Sequence, residues 1–234
     1  MIAKAKAITH GINAIRYLCG ESRNKRHPEM ISRVLANRLP PELDAAGIWN
    51  SMQLTLSQHR PIKNSVIRIE LSPSPKHTRF YRMEDWQELW HDFAEEFDKQ
   101  VIKNRDGTVR SCPTHLAESK YTVWLHQESA SGILHLHATV CRMDEEGYIN
   151  NDHRIHLRAQ RAAEQAETRL DNGRRGTKHP RPTGEPRLHG DFAGDAFLVM
   201  GRVSRSACPE GLFRSRKAGQ QRGAPGLLAP QGRG

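Results

Sequence analysis

Three histidines near the middle of the chain have the type and spacing to hold a metal ion. They lie in Tyr121 to Arg142, YTVWLHQESASGILHLHATVCR, where His126, His135 and His137 form the pattern His-x8-His-x-His. Imidazole suits transition metals, and catalytic centres often use three protein ligands, leaving coordination positions for water or substrate. The surrounding residues predict how the three converge. Residues 121–128 and 133–142 are rich in β-branched and aromatic side chains, and Ser129 to Gly132 between them carry turn chemistry. Successive strand residues point to opposite faces. Leu134, Leu136, Ala138 and Val140 therefore share one face, with Ile133, His135, His137, Thr139 and Cys141 on the other. In the first strand His126 lies with Trp124 and Thr122, opposite Val123 and Leu125. A turn around residues 130–131 sets His126 across from His135 or His137, and opposed side chains in an antiparallel pair come within about 5 Å. The plainer alternative is a solvated, His-rich sheet face. Two histidines at i, i+2 with a third across the hairpin, behind an apolar stripe, favour the metal.

A second group with reactive chemistry precedes the hairpin. Residues 5–20 are predicted helical, with Ile8, Ile12, Ile15 and Cys19 in one stripe. At about 100° per residue Tyr17 lies opposite Ile8, away from the buried side. Taken by itself, that position is that of an ordinary half-exposed helix tyrosine. The basic run Ser22 to His27, with Arg23, Lys25 and Arg26, follows and could grip a phosphate backbone. Residues 28–38 then read as a short helix and 47–60 as another. Residues 64–71, NSVIRIEL, read as a strand whose polar face could present Arg68 or Glu70 to the histidines. Residues 84–103 are the clearest helix, with Trp86, Leu89, Trp90, Phe93, Phe97 and Val101 at helical spacing. After the hairpin, 153–169 reads as a helix. It has an alanine side (Ala159, Ala162, Ala163, Ala166) and an arginine stripe (Arg154, Arg158, Arg161, Arg169) suited to DNA phosphates or to plain solvation. The fold class expected is α+β, an antiparallel sheet with helices on one face and the three-histidine metal site on the other.

These motifs resemble a known superfamily. His135-Leu136-His137 looks like the His-hydrophobic-His core of the HUH endonucleases, and His126-Gln127-Glu128 is similar to the His-x-Asp element of plasmid relaxases. AKAITHGINAIRYLCGES and HRIHLRAQRAAE resemble the mobilisation relaxases of Bacteroides-type mobile elements. The chain departs from the family pattern at Glu128, where Asp is usual, and at Cys141, where Asn is common. The resemblance implies a relaxase that nicks one strand of DNA at a plasmid or conjugative-transposon transfer origin. Tyr17 would be its nucleophile, and Glu128 would orient a histidine or help deprotonate the tyrosine. His126, His135 and His137 would hold one divalent ion, Mg²⁺ or Mn²⁺ by family habit, in a three-imidazole site that could also hold Zn²⁺. It also implies mobilisation accessory proteins and a coupling ATPase as partners beside single-stranded DNA. Two alternatives stand beside it: a non-catalytic DNA-binding mobilisation protein or inactive relaxase fragment, and an HUH replication initiator or transposase. The latter usually carry the tyrosine on a helix after the hairpin, and residues 153–169 contain none.

The bulk composition fits but does not decide. The net charge is +10 over 234 residues, yet residues 171–234 hold 12 Lys and Arg against 5 Asp and Glu, most of the excess. The same stretch has 12 of the 18 glycines and loses all helical or strand periodicity apart from Phe197 to Met200. The relaxase-like domain is therefore expected over 1–166. The tail, 167–234, is expected to be disordered or translated out of frame, so that the relaxase is truncated after about residue 166. No apolar run is long enough for a membrane span, the N-terminus lacks a secretory apolar core, and the cysteines form no Cys-x-x-Cys pair. The expected location is the cytoplasm.

Overall fold

The computed structural model describes residues 1–22, 30–127 and 132–176. At its centre is the strand whose alternation is cleanest, β7 (Leu134–Cys141). It pairs with β6 (Tyr121–Gln127) on one side and β3 (Val66–Ser72) on the other. Strand β1 (Ile2–Ile8) adds to β3 and β2 (Met30–Asn37) to β6, so the order is β1-β3-β7-β6-β2 and every neighbour is antiparallel. The hairpin register sets His126 directly across from His135.

Helices stand on both faces. On the apolar side of β7, α4 (Met83–Lys99) and α5 (Ile155–Gly176) pack with Leu136, Ala138 and Val140. Trp90, Phe93 and Phe97 of α4 are fully buried there, each contributing about 1.5–3 kcal/mol or more through lost apolar exposure. The alanines of α5 lie in the same core as Ala3 and Ala5 of β1, and small side chains let the helix approach the edge strand closely. On the opposite face α1 (Gly11–Leu18) and α2 (Ala45–Ser57) form a second core, in which Ile15, Ile48 and Met52 meet Val66 and Cys141. The histidines share this second face, as the strand alternation predicts. The short helix α3 (Pro75–Thr78) follows β3, and β4 (Ile102–Lys103) pairs with β5 (Val109–Ser111) in a separate ribbon. Among the described residues no helix is long and apolar enough to cross a membrane.

Two sequence expectations are corrected. Residues 5–20 are not one helix: β1 runs to Ile8 and α1 begins at Gly11. Lys4 and Lys6 alternate with Ala3, Ala5 and Ala7, a strand period that the isoleucine spacing further on obscures. Residues 28–38 form β2 rather than a helix. The register shifts between Arg33 and Leu35, so Val34 is an extra residue in the ladder. Val34 and Leu35 consequently both pack into the core with α4, and the bulge imitates helical spacing in the sequence. Helix α5 runs past residue 166, and residues 177–234, nearly all of the expected tail, lie outside the described residues.

Candidate metal centre and nucleophile

The hairpin gathers the histidines as its register requires. His126, His135 and His137 are 0%, 4% and 2% exposed, and one ligand nitrogen from each lies within 4.8 Å of the others. Ring centres are 4.7 Å apart for His126 and His137 and 4.6 Å for His135 and His137.

The hydrogen bonds fix which nitrogen of two rings keeps a free lone pair. His126 Nε2 is 2.9 Å from the Leu18 carbonyl oxygen, and His135 Nδ1 is 3.1 Å from that of Ile133. A carbonyl oxygen only accepts, so each of these ring nitrogens carries the proton. The lone pairs therefore sit on Nδ1 of His126 and Nε2 of His135. Metal-ligating histidines are commonly oriented in this way, by a second hydrogen bond from the other ring nitrogen. Three buried imidazoles with two tautomers so fixed fit a divalent cation as a donor set. The atoms belong to transition-metal chemistry more than to hard, oxygen-preferring Mg²⁺.

Tyr17 arrives from α1. Its ring is 5.6 Å from that of His126 and 5.4 Å from that of His137, edge-on to both. It is half-buried, turned toward the histidines rather than outward from the helix. Local sequence explains the placement. A β-carbon at Gly11 would collide with the Trp49 ring of α2, so the glycine lets α1 seat closely there. Ile15 and Leu18, on the same face of α1 as Gly11, anchor it at 0% and 1% exposure. Gly20, at φ +76, ends the helix in the left-handed conformation that glycine adopts without strain.

Strand β3 completes the surroundings. Glu70 is the ladder partner of His137 and so shares its face, and its Oε1 lies 3.4 Å from Lys4 Nζ. Arg68 lies on the same face, its guanidinium carbon 5.5 Å from the centre of the Tyr17 ring. The polar alternation of residues 64–71 predicted this proximity without assigning a role. Lys4 and Lys6 are exposed on the same face, ladder partners of Glu70 and Arg68. Strand alternation over residues 2–8 could have found them, had the segment not been read as a helix.

Other sequence candidates fall elsewhere. Arg158 is 0% exposed, and the expected phosphate contact there is corrected. Its guanidinium donates to the carbonyls of Phe97 (3.0 Å), Gln100 (2.5 Å) and Cys112 (2.6 Å) and to Ser111 Oγ (2.8 Å). Burial brings its pKa down to about 10. Arg154 and Arg161 are exposed, but Arg161 is on α5 and Arg154 immediately before it, and α5 packs on the sheet face opposite the histidines. Glu128, Arg23, Lys25 and Arg26 lie outside the described residues. Cys141, at the position where the family often has Asn, is a buried core residue beneath α2.

No protein-family model and no curated protein matches the chain. Among solved structures the chain is similar to the metal-bound conjugative relaxase TrwC in complex with oriT DNA. The identity is 10%, over 75% of this chain and 70% of that chain, with a TM-score of 0.46. So distant a likeness transfers no residue roles.

Proposed function

We propose that this chain is a relaxase-like enzyme that nicks one strand of DNA at a transfer origin. The observation that carries the reading is Tyr17 set edge-on against two members of a buried three-histidine cluster. Isolated histidine clusters and isolated tyrosines have many uses. A phenol placed beside a divalent-cation site, under an arginine, is arranged for phosphoryl transfer. A divalent ion held by His126, His135 and His137 would supply charge neutralisation at a non-bridging phosphate oxygen.

The chain's own groups then have defined tasks. Tyr17 Oη attacks phosphorus, the Oη–P bond forms as the P–O3′ bond breaks, and the 3′ oxygen leaves with the electron pair and takes up a proton. The 5′ end stays on Tyr17 as a phosphotyrosine, which conserves the phosphodiester for rejoining. Arg68, its guanidinium carbon 5.5 Å from the ring centre, sets a positive charge beside the nucleophile and the phosphate it attacks. Glu128 keeps the role the sequence suggests, orienting a histidine or receiving the Tyr17 proton. Lys4 and Lys6 offer charge for the DNA backbone on the histidine face.

The test is cleavage of a labelled single-stranded oligonucleotide from the element's own transfer origin, in Mn²⁺ or EDTA, by wild type and Tyr17→Phe. The expected result is a metal-dependent covalent adduct that Tyr17→Phe abolishes. An adduct that persists in Tyr17→Phe refutes the nucleophile. No adduct in wild type that has bound its metal refutes the enzyme, and leaves a non-catalytic DNA-binding protein.

A further inference from the structure

We infer that the turn after β3 is a stacking platform for an unpaired nucleobase of single-stranded DNA. The inference rests on the DNA-nicking reading above and adds a binding element away from the histidines. Residues 75–82 read PKHTRFYR, and Phe80 is 68% exposed, the most exposed of the large apolar side chains among the described residues. A solvent-facing phenylalanine in a short connection contributes nothing to either core. Its neighbour Tyr81, by contrast, packs against Trp86 with ring centres 5.0 Å apart. The Arg79 guanidinium carbon lies 5.5 Å from the Phe80 ring centre. Lys76, Arg79 and Arg82 are exposed around it.

The nearby acids offset part of this charge and leave an excess of cations. Asp85, whose Oδ2 accepts the Arg82 backbone N–H at 2.6 Å, and Glu84 stand against Lys76, Arg79 and Arg82. Glu167 is engaged by the Met1 amino group and lies 3.7 Å from His77. Glu84 is exposed on the first turn of α4, where it answers that helix's own dipole.

The chain leaves β3 at the end where Glu70 and Leu71 are the ladder partners of His137 and Leu136. Tyr81 and Met83 then pack into the core of α4 and α5, and His77 lies 3.7 Å from Glu167 of α5, so the connection stands at the histidine end of the sheet but on its other face. A strand gripped at the histidines reaches the ring by turning round that end of the sheet. Every base has a π-face, so such a ring takes any base, while the cations take the phosphates beside it. Duplex DNA keeps its bases stacked inside and offers nothing to Phe80.

The test is equilibrium binding by the full chain, followed by fluorescence anisotropy, with labelled probes of one length: mixed-sequence single strand, the corresponding duplex, and an abasic strand. The expected result is that Phe80→Ala weakens single-strand binding about tenfold, an effect within the usual range for one base–aromatic stack. Phe80→Trp restores it, and neither change affects the duplex or abasic probe. Arg79→Ala and Lys76→Ala should instead flatten the salt dependence on all probes. Equal single-strand binding by wild type and Phe80→Ala overturns the platform and leaves the nicking reading standing. An equal loss on all probes assigns Phe80 to folding or charge, which also overturns it. A wild type that binds no single strand overturns both.

Discussion

Arg68 is the side chain whose removal separates chemistry from architecture. It is half-buried, touches the Tyr17 ring, and lies outside both apolar cores. Arg68→Gln should therefore leave thermal stability nearly unchanged while slowing cleavage about tenfold, since a cation over an aromatic face contributes on the order of 1 kcal/mol or more. An unchanged cleavage rate would remove Arg68 from the chemistry, and a lower melting temperature would assign it to the fold. The histidines were legible in the sequence because strand alternation and hairpin pairing are local rules, and the register found, His126 across from His135, is one of the two the sequence left open. Tyr17 was legible as a candidate only. Its approach to the histidines depends on how α1 seats on α2, which residues distant in sequence decide.

Arg158 shows how a helix face can mislead. Its spacing with Arg154 and Arg161 suggested a DNA-facing stripe, yet it points inward and closes the end of α4. The last carbonyls of a helix lack intrahelical donors, and a buried guanidinium satisfies several at once. Arg158→Lys keeps the charge but loses the planar fork. The expected cost is about 3–5 kcal/mol of stability, measurable as a lower midpoint in urea. A midpoint shift near zero would mean that the guanidinium only fills space. Periodicity told α4 correctly because its aromatic stripe is long. It failed over β1, where alanines carry almost no hydrophobic signal, and over β2, where the Val34 bulge puts neighbouring side chains in one core. Such failures arise where packing, not local pattern, selects the state.

For the molecule as a whole, one ion pair ties the loops beyond the sheet and makes stability depend on pH. His115 Nδ1 lies 3.3 Å from Asp144 Oδ2, and its ring stacks on Tyr148 with centres 3.9 Å apart. The hydrogen bond to Asp144 raises the His115 pKa, against burial. Burial acts to raise the Asp144 pKa, but the bond from His115 and the amides of Tyr148 and Glu146 outweigh it and hold the carboxyl below its ordinary range. A raised histidine pKa means stabilisation that is complete below the unfolded value, near 6.5, and lost as pH rises through the folded one. The depressed Asp144 loses its share only under acid conditions. The excess of the wild-type melting temperature over that of His115→Gln should therefore be largest below pH 6.5 and shrink as pH rises through the folded His115 value. Parallel slopes for the two proteins would place the pH dependence elsewhere.

The hydrogen bond from His126 to the Leu18 carbonyl joins a histidine of the candidate metal site to the residue that follows Tyr17. Thermodynamic linkage makes that bond work in both directions. Whatever factor metal loading adds to the docking of α1, docking of α1 must add to the affinity for metal. On the proposed function, loading an ion would then also help to order the helix of Tyr17, and substrate that presses the helix into place would retain the ion. Backbone amide exchange at Cys19 and Gly20, whose N–H groups close the end of α1 onto Ile15 and Tyr17, should slow when Mg²⁺ or Zn²⁺ is added and return to the starting rate in EDTA. Equal exchange with and without the ion would show that ligand and nucleophile are neighbours that do not communicate.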